Sequence, residues 1–175
     1  MVKLPSVLVI VDAQNGFQNS HTFRVIPSIV AIVRAHLGPT LFTQFVNRDG
    51  SNFERLLNWS NMKDGAATEF VKELQPFINT KNTFQKSGYS AFSSATFTTR
   101  LKELAIQRVE ICGFDTDACV LATAFDAFDA GYHPLIHVDA CGSSGGNHLH
   151  LSSIEVLQRN FGKHSIVRAK TSGPT

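Results

Sequence analysis

Short apolar runs alternating with amphipathic segments predict an α/β fold, a doubly wound parallel sheet with helices on both faces. Three observations carry that expectation. The run SVLVIV at Ser6–Val11 is β-branched with no polar alternation, the pattern of a strand covered on both sides. Segments of helical periodicity separate it from later runs of the same kind. Gly38-Pro39, Gly131 and Gly162 stand where those segments should stop. At 175 residues the chain has the size of a single domain, residues 1–175, with room for a real core.

After the first strand comes a polar loop over residues 14–21, then a helix over 27–36 with Ile29, Ile32 and Val33 on one face. Residues 40–46 form the second strand. The stretch 47–65 reads as a long irregular loop around Trp59, and loops of that length in compact domains tend to be functional. A short helix is expected over 68–74, ended by Pro76, and a weak third strand over 82–86. Further strands are expected at 109–113, 134–138 and 164–167. Helices are expected at 95–105, 118–130 and 151–160, and a frayed tail over 169–175.

Composition narrows the function classes. With 43% hydrophobic and 17% charged residues and a formal charge of +2, the chain has no basic stripe of the kind nucleic acid requires. No apolar run is long enough to span a bilayer, and the first residues lack a signal peptide's cleavage pattern. Three cysteines, an odd number, fit reduced thiols and a cytoplasmic setting better than a disulfide framework. A small-molecule substrate is therefore expected, without nucleic acid or membrane as partner.

In doubly wound sheets the ligand crevice lies at the carboxyl ends of the strands. Asp12 closes the first strand, Lys86 the third, and Cys119 follows the fourth at the start of a helix. A thiol there meets unpaired N–H groups and the positive end of the helix dipole, which favour a thiolate. Asp12 can accept the thiol proton, and the Lys86 cation can hold both anions. Each residue also has a plain structural reading: a loop-anchoring carboxylate, a solvated ammonium, a small buried hydrophobe. Their convergence on one sheet edge favours chemistry.

Phe17, Phe45, Trp59, Tyr89 and Phe92 fall in or beside loops at that edge and are candidate walls of a substrate pocket. Gln14 is read as an anchor of the Asp12 loop, and Arg48 and Arg55 as solvated. Asp115, Asp117 and Asp139 are read as carboxylates that satisfy loop N–H groups. His137, His148 and His150 lack metal-ligand spacing, and Cys112 and Cys141 read as packing residues.

Three segments carry a family resemblance. Asp12-Ala-Gln14-Asn-Gly-Phe17 is similar to a D-x-Q-x-x-F motif, and Lys86-Ser-Gly-Tyr89-Ser90-Ala91-Phe92 to K-x-x-Y-S-A-F. Gly113-Phe-Asp-Thr116-Asp-Ala-Cys119-Val120 is similar to G-x-x-T-x-x-C-V. The chain thus resembles the isochorismatase-like cysteine hydrolases over residues 6–168. The resemblance implies a six-stranded sheet in order 3-2-1-4-5-6 and an Asp12–Lys86–Cys119 triad. It further implies an oxyanion hole from the N–H groups of Ala118 and Cys119, and a cis peptide between Phe114 and Asp115. The activity it implies is attack of Cys119 on a small amide or carbamoyl substrate through a thioester. Vinyl ether hydrolysis of the isochorismatase type, or a non-catalytic binding role, are the alternatives. Nicotinamidases of this group carry a histidine-containing zinc site after the second strand. Here that region reads Thr43-Gln44-Phe45-Val46-Asn47-Arg48, so neither metal nor other cofactor is expected. A homo-oligomer, dimer or tetramer, is implied by the family alone.

Overall fold

A computed structural model describes residues 5–168; the tail expected to fray lies outside them. Six parallel strands form one sheet in the order β3-β2-β1-β4-β5-β6. They are β1 (Ser6–Val11), β2 (Thr40–Phe45), β3 (Thr83–Lys86), β4 (Arg108–Phe114), β5 (His133–Gly142) and β6 (Ile166–Val167). The helices are α1 (Ile26–Ala35), α2 (Asn52–Leu57), α3 (Ala95–Glu103), α4 (Leu121–Asp129) and α5 (Asn147–Phe161). Val7 to Val11 are fully buried, as their unbroken apolar run requires of a central strand. The strand order reverses between β1 and β4, and their carboxyl ends open the crevice there.

Several segments differ from the sequence expectation. Residues 68–74 do not form a helix, because their backbone is engaged elsewhere. Asn15 N–H donates to Glu69 O (2.9 Å), Val71 N–H donates to Ala13 O (3.0 Å), and Gln14 bridges to Phe70. Only a 3₁₀ segment, Lys72–Phe77, follows, and Pro76 lies inside it. The stretch 47–65 is not wholly irregular, since it contains α2. Ser51 caps that helix by accepting from Glu54 N–H (3.2 Å), and Asn58 ends it in a left-handed conformation (φ 52°). β5 also runs on to Gly142, past its expected end, because Cys141 and Gly142 pair with Gly113 and Phe114 across a register shift.

Gln14 ties the β1 exit to the end of β2. Its buried amide donates to Phe45 O (2.9 Å) and Thr68 O (2.7 Å), while its oxygen accepts from Phe45 N–H (2.8 Å). The anchoring role is therefore a three-bond clamp. Gln14→Ala removes all three bonds and strands buried backbone groups, so urea denaturation should report a stability loss of about 3 kcal/mol. A loss below about 1 kcal/mol would mean that water replaces the clamp.

Candidate active site

Asp12 leaves β1 with φ 47°, a left-handed conformation that Asp tolerates better than most residues. The turn is held by Asp12 N–H donating to Thr43 O (3.2 Å) and Gln14 N–H donating to Asp12 O (2.7 Å). Strain of this kind persists only where surrounding contacts enforce it. Thr43 Oγ1 donates to Asp12 Oδ1 (2.7 Å), which leaves Oδ2 for Lys86 Nζ at 2.6 Å. Both side chains are fully buried.

Lys86 ends β3 opposite Phe45, the last residue of β2. Besides the carboxylate, its ammonium donates to Gly88 O (2.8 Å) and Tyr89 O (2.7 Å). It donates to Cys119 Sγ as well, at the longer distance of 3.5 Å. The ammonium also lies 5.2 Å from the centre of the Phe45 ring, a cation–π contact.

Cys119 lies in a wide i→i+5 turn, Thr116–Val120, that precedes α4 and replaces the regular first helical turn expected there. The Phe114–Asp115 peptide is cis. The Asp115 carbonyl accepts from both Ala118 N–H (3.1 Å) and Val120 N–H (3.0 Å), which fills its two lone pairs. Ala118 N–H is thus committed to the turn and does not point at an oxyanion. Of the two donors inferred from sequence, only Cys119 N–H stays a candidate.

The electrostatics of the trio also revise the expectation of a resting thiolate. Burial raises the Asp12 pKa above the ordinary value, although Lys86 and Thr43 oppose it. Burial disfavours the Lys86 ammonium, but the attraction of Asp12 and Cys119 outweighs it and the pKa is raised. Cys119 is only 6% exposed, and burial together with the Asp12 charge pushes its thiol well above the ordinary value despite Lys86. These directions favour a neutral Cys119 thiol beside the Asp12–Lys86 ion pair.

Cys119 opens into a cavity of ≈ 320 Å³. Phe17, Phe45, Trp59 and Tyr89 line it, four of the five aromatic residues singled out in the sequence. Phe92 is not among its lining residues; it packs on Phe97 (5.5 Å between centroids) and Tyr132 (6.3 Å). Phe53 of α2 is a wall that the sequence reading missed. It touches Phe45, Trp59 and Tyr89 at 5.0, 5.7 and 4.9 Å, closing a small satellite core over the site. Its sequence signal was the Ser51-x-x-Glu54 capping pattern, which places a helix around Phe53.

Asp115 and Ser144 also line the cavity. Ser144 N–H donates to Asp115 Oδ1 (2.7 Å) and Ser144 Oγ donates to Oδ2 (2.5 Å), so Asp115 does satisfy a loop N–H group. Asn47 knits the outer wall: its amide donates to Trp59 O (3.1 Å) and Asn61 O (3.0 Å), while its oxygen accepts from Ser51 Oγ (2.6 Å). That amide, in the segment where zinc would be held, is spent on backbone and does not suit a metal. Among the described residues no group of His, Cys, Asp and Glu is arranged to hold one. His137 pairs with Glu110 (2.8 Å), His150 bonds Thr116 (2.8 Å), and His148 is exposed. Asp139 is an exposed ion-pair partner of Arg168 (3.6 Å), and Arg48 and Arg55 are exposed. Cys112 and Cys141 are free thiols buried in the core, and burial raises the second to about 12. Among the described residues no helix is long and apolar enough to cross a membrane.

Comparison with known proteins agrees with this architecture. The chain is 25% identical to Nicotinamidase 3 of Arabidopsis thaliana over 142 residues, 77% of this chain and 72% of the relative. The fold is similar to that of nicotinamidase PncA from Bacillus subtilis, with TM-score 0.82, 23% identity and coverage of 95% and 100% of the two chains. N-carbamoylsarcosine amidase from Thermoplasma acidophilum is similar at TM-score 0.80 and 18% identity, with 98% and 99% covered. The family model of the isochorismatase domain matches residues 6–166, so the chain belongs to the isochorismatase family and is a hydrolase.

Proposed function

We propose that the protein is a cysteine amidase that cleaves a C–N bond of a small amide or carbamoyl substrate through a Cys119 thioester. The observation that carries this reading is the chain of contacts from Asp12 Oδ2 through Lys86 Nζ (2.6 Å) to Cys119 Sγ (3.5 Å) at the floor of an aromatic cavity. Asp12, made more basic than an ordinary carboxylate by burial, takes the thiol proton as Sγ attacks the carbonyl carbon. Cys119 N–H donates to the oxyanion, and the tetrahedral species collapses as Asp12 passes the proton to the leaving nitrogen. Lys86 keeps its charge throughout and prevents the site from accumulating uncompensated anions. Water then attacks the thioester with Asp12 as base, releasing the acid and restoring the thiol. The names of the relatives, a nicotinamidase and an N-carbamoylsarcosine amidase, support amide chemistry. The cavity lining has no basic side chain among the described residues, which disfavours the dicarboxylate substrate of the vinyl ether alternative.

Ammonia release from a panel of small primary amides and carbamoyl amino acids tests the reading. Turnover of at least one amide is expected, and hydrolysis of isochorismate alone would overturn it. The pH profile has a sign. Activity needs the Asp12 carboxylate, so kcat/KM should fall in acid through a pKa above the ordinary Asp value, and that limb should vanish in Asp12→Asn along with most of the activity.

A further inference from the structure

We propose that Asp115 sets the charge preference of the cavity, so that the site takes amides whose acyl portion is cationic or neutral and rejects anionic ones. The proposal rests on the amidase reading and adds the class of substrate.

The Lys86 ammonium is matched by Asp12 at 2.6 Å and also donates to Gly88 O, Tyr89 O and Cys119 Sγ. Burial and the Asp12 charge push the Cys119 thiol up, which favours its neutral form. Asp115 is then the unbalanced charge, and among the described residues that line the cavity none is Lys, Arg or His. Arg48 opens instead on a neighbouring cavity, beside Asp49 and beyond the Phe53–Tyr89 wall.

Asp115 is also fixed in place. Ser144 donates from its backbone to one carboxylate oxygen and from its hydroxyl to the other, at 2.7 and 2.5 Å. Each oxygen keeps a lone pair for a further donor. A carboxylate held from both sides accepts a substrate N–H or faces a cation without first having to be ordered. The second, independent observation is the wall. Phe17, Phe53, Trp59 and Tyr89 line the same cavity, and the electron-rich faces of such rings attract cations and do not attract anions. Both features select the same sign of charge.

The group also titrates in a usable range. Burial raises Asp115 to about 6, against the bonds from Ser144 and with help from the charges of Asp117 and Asp12. Other ionisable groups face the same region: Asp12, also raised by burial, stays paired with Lys86 at 2.6 Å, and His150, lowered by burial, bonds Thr116 beside Asp115.

The probes are three primary amides of similar size: benzamide, the 1-methylpyridinium-3-carboxamide cation and the 3-carboxybenzamide anion. Their affinities are measured by calorimetry on the Cys119→Ala protein, which cannot turn them over. At neutral pH the cation should bind about ten-fold or more tightly than the anion. Adding Asp115→Asn should bring the two within about three-fold. A merely structural role of Asp115 would weaken all three alike and leave the ratio unchanged. Should that variant not fold, the parent protein supplies the same test, since its cation preference should shrink as pH falls through about 6. Equal binding of cation and anion, a ratio indifferent to Asp115 and to pH, or no binding of any probe overturns the proposal. Charge-dependent binding without turnover of any amide by the native protein would sink the amidase reading and leave this one standing.

Discussion

Replacing Cys119 with alanine is expected to lower kcat/KM for an amide substrate by roughly 10⁴–10⁶-fold, the loss seen when the nucleophile of a cooperating set is removed. On the proposed mechanism, the size follows from the division of labour at the site. Asp12 has nothing to deprotonate without the thiol, and Lys86 has no developing thiolate to face, so their contributions vanish together with that of the sulfur. The fold should survive. Only one buried atom is lost, and the Asp12–Lys86 pair stays intact at 2.6 Å, so stability should stay within about 1 kcal/mol of the parent. Circular dichroism and urea denaturation check the second statement, and ammonia release checks the first. A Cys119→Ala protein that keeps a tenth of its activity would contradict the assigned nucleophile.

Gly113→Ala should be far more damaging to the fold than its size suggests. Gly113 adopts φ 120°, a region closed to L side chains, one residue before the turn that carries the cis peptide and Cys119. A Cβ added there would stand 2.1 Å from Val11 O and 2.7 Å from Val11 N. Both obstacles are backbone atoms of the central strand, and neither can swing aside like a side chain. β1 and β4 would have to part at the Val11–Gly113 pairing, immediately below Asp12. The expected cost exceeds about 4 kcal/mol, against roughly 5–15 kcal/mol for the whole stability of a domain. Denaturation midpoints or soluble yield report it. A well-folded Gly113→Ala protein with an unchanged midpoint would show that the close approach of β1 and β4 is not needed.

What could be read from sequence follows from which interactions are local. The strands announce themselves because burial on both faces leaves unbroken β-branched runs, and strand ends locate Asp12 and Lys86 without knowledge of any contact. Cys119 was legible for the same reason, as the residue that follows β4. The state of its thiol was not. That depends on how Lys86 spends its three protons, and two of them go to Gly88 and Tyr89 carbonyls that no spacing rule brings into view. Ala118 was misplaced as an oxyanion donor because the turn is wider than a regular helical one, which redirects its N–H to Asp115 O.

The pocket walls divide in the same way. Phe45 and Phe17 lie beside the strand ends and could be expected there. Phe53 reaches the site through α2, whose capping residues were visible but whose docking depends on Asn47 bonds to Ser51, Trp59 and Asn61. Phe92 carried the same motif signal as Tyr89, yet the 3₁₀ turn Ala91–Ser93 packs it against Phe97 instead. Ser144 stands 29 residues from Asp115, and only the extension of β5 to Gly142 brings the two together. A carboxylate gripped by a distant loop leaves no local pattern.

On the proposed mechanism, Cys119 carries the acyl group during turnover. Hydroxylamine added during hydrolysis of an amide competes with water for a thioester and converts the acyl group to a hydroxamic acid. Hydroxamate is expected to form at the expense of acid while ammonia release is undiminished, and Cys119→Ala should yield neither product. Acid as the sole product at saturating hydroxylamine, with turnover surviving in Cys119→Ala, would contradict it.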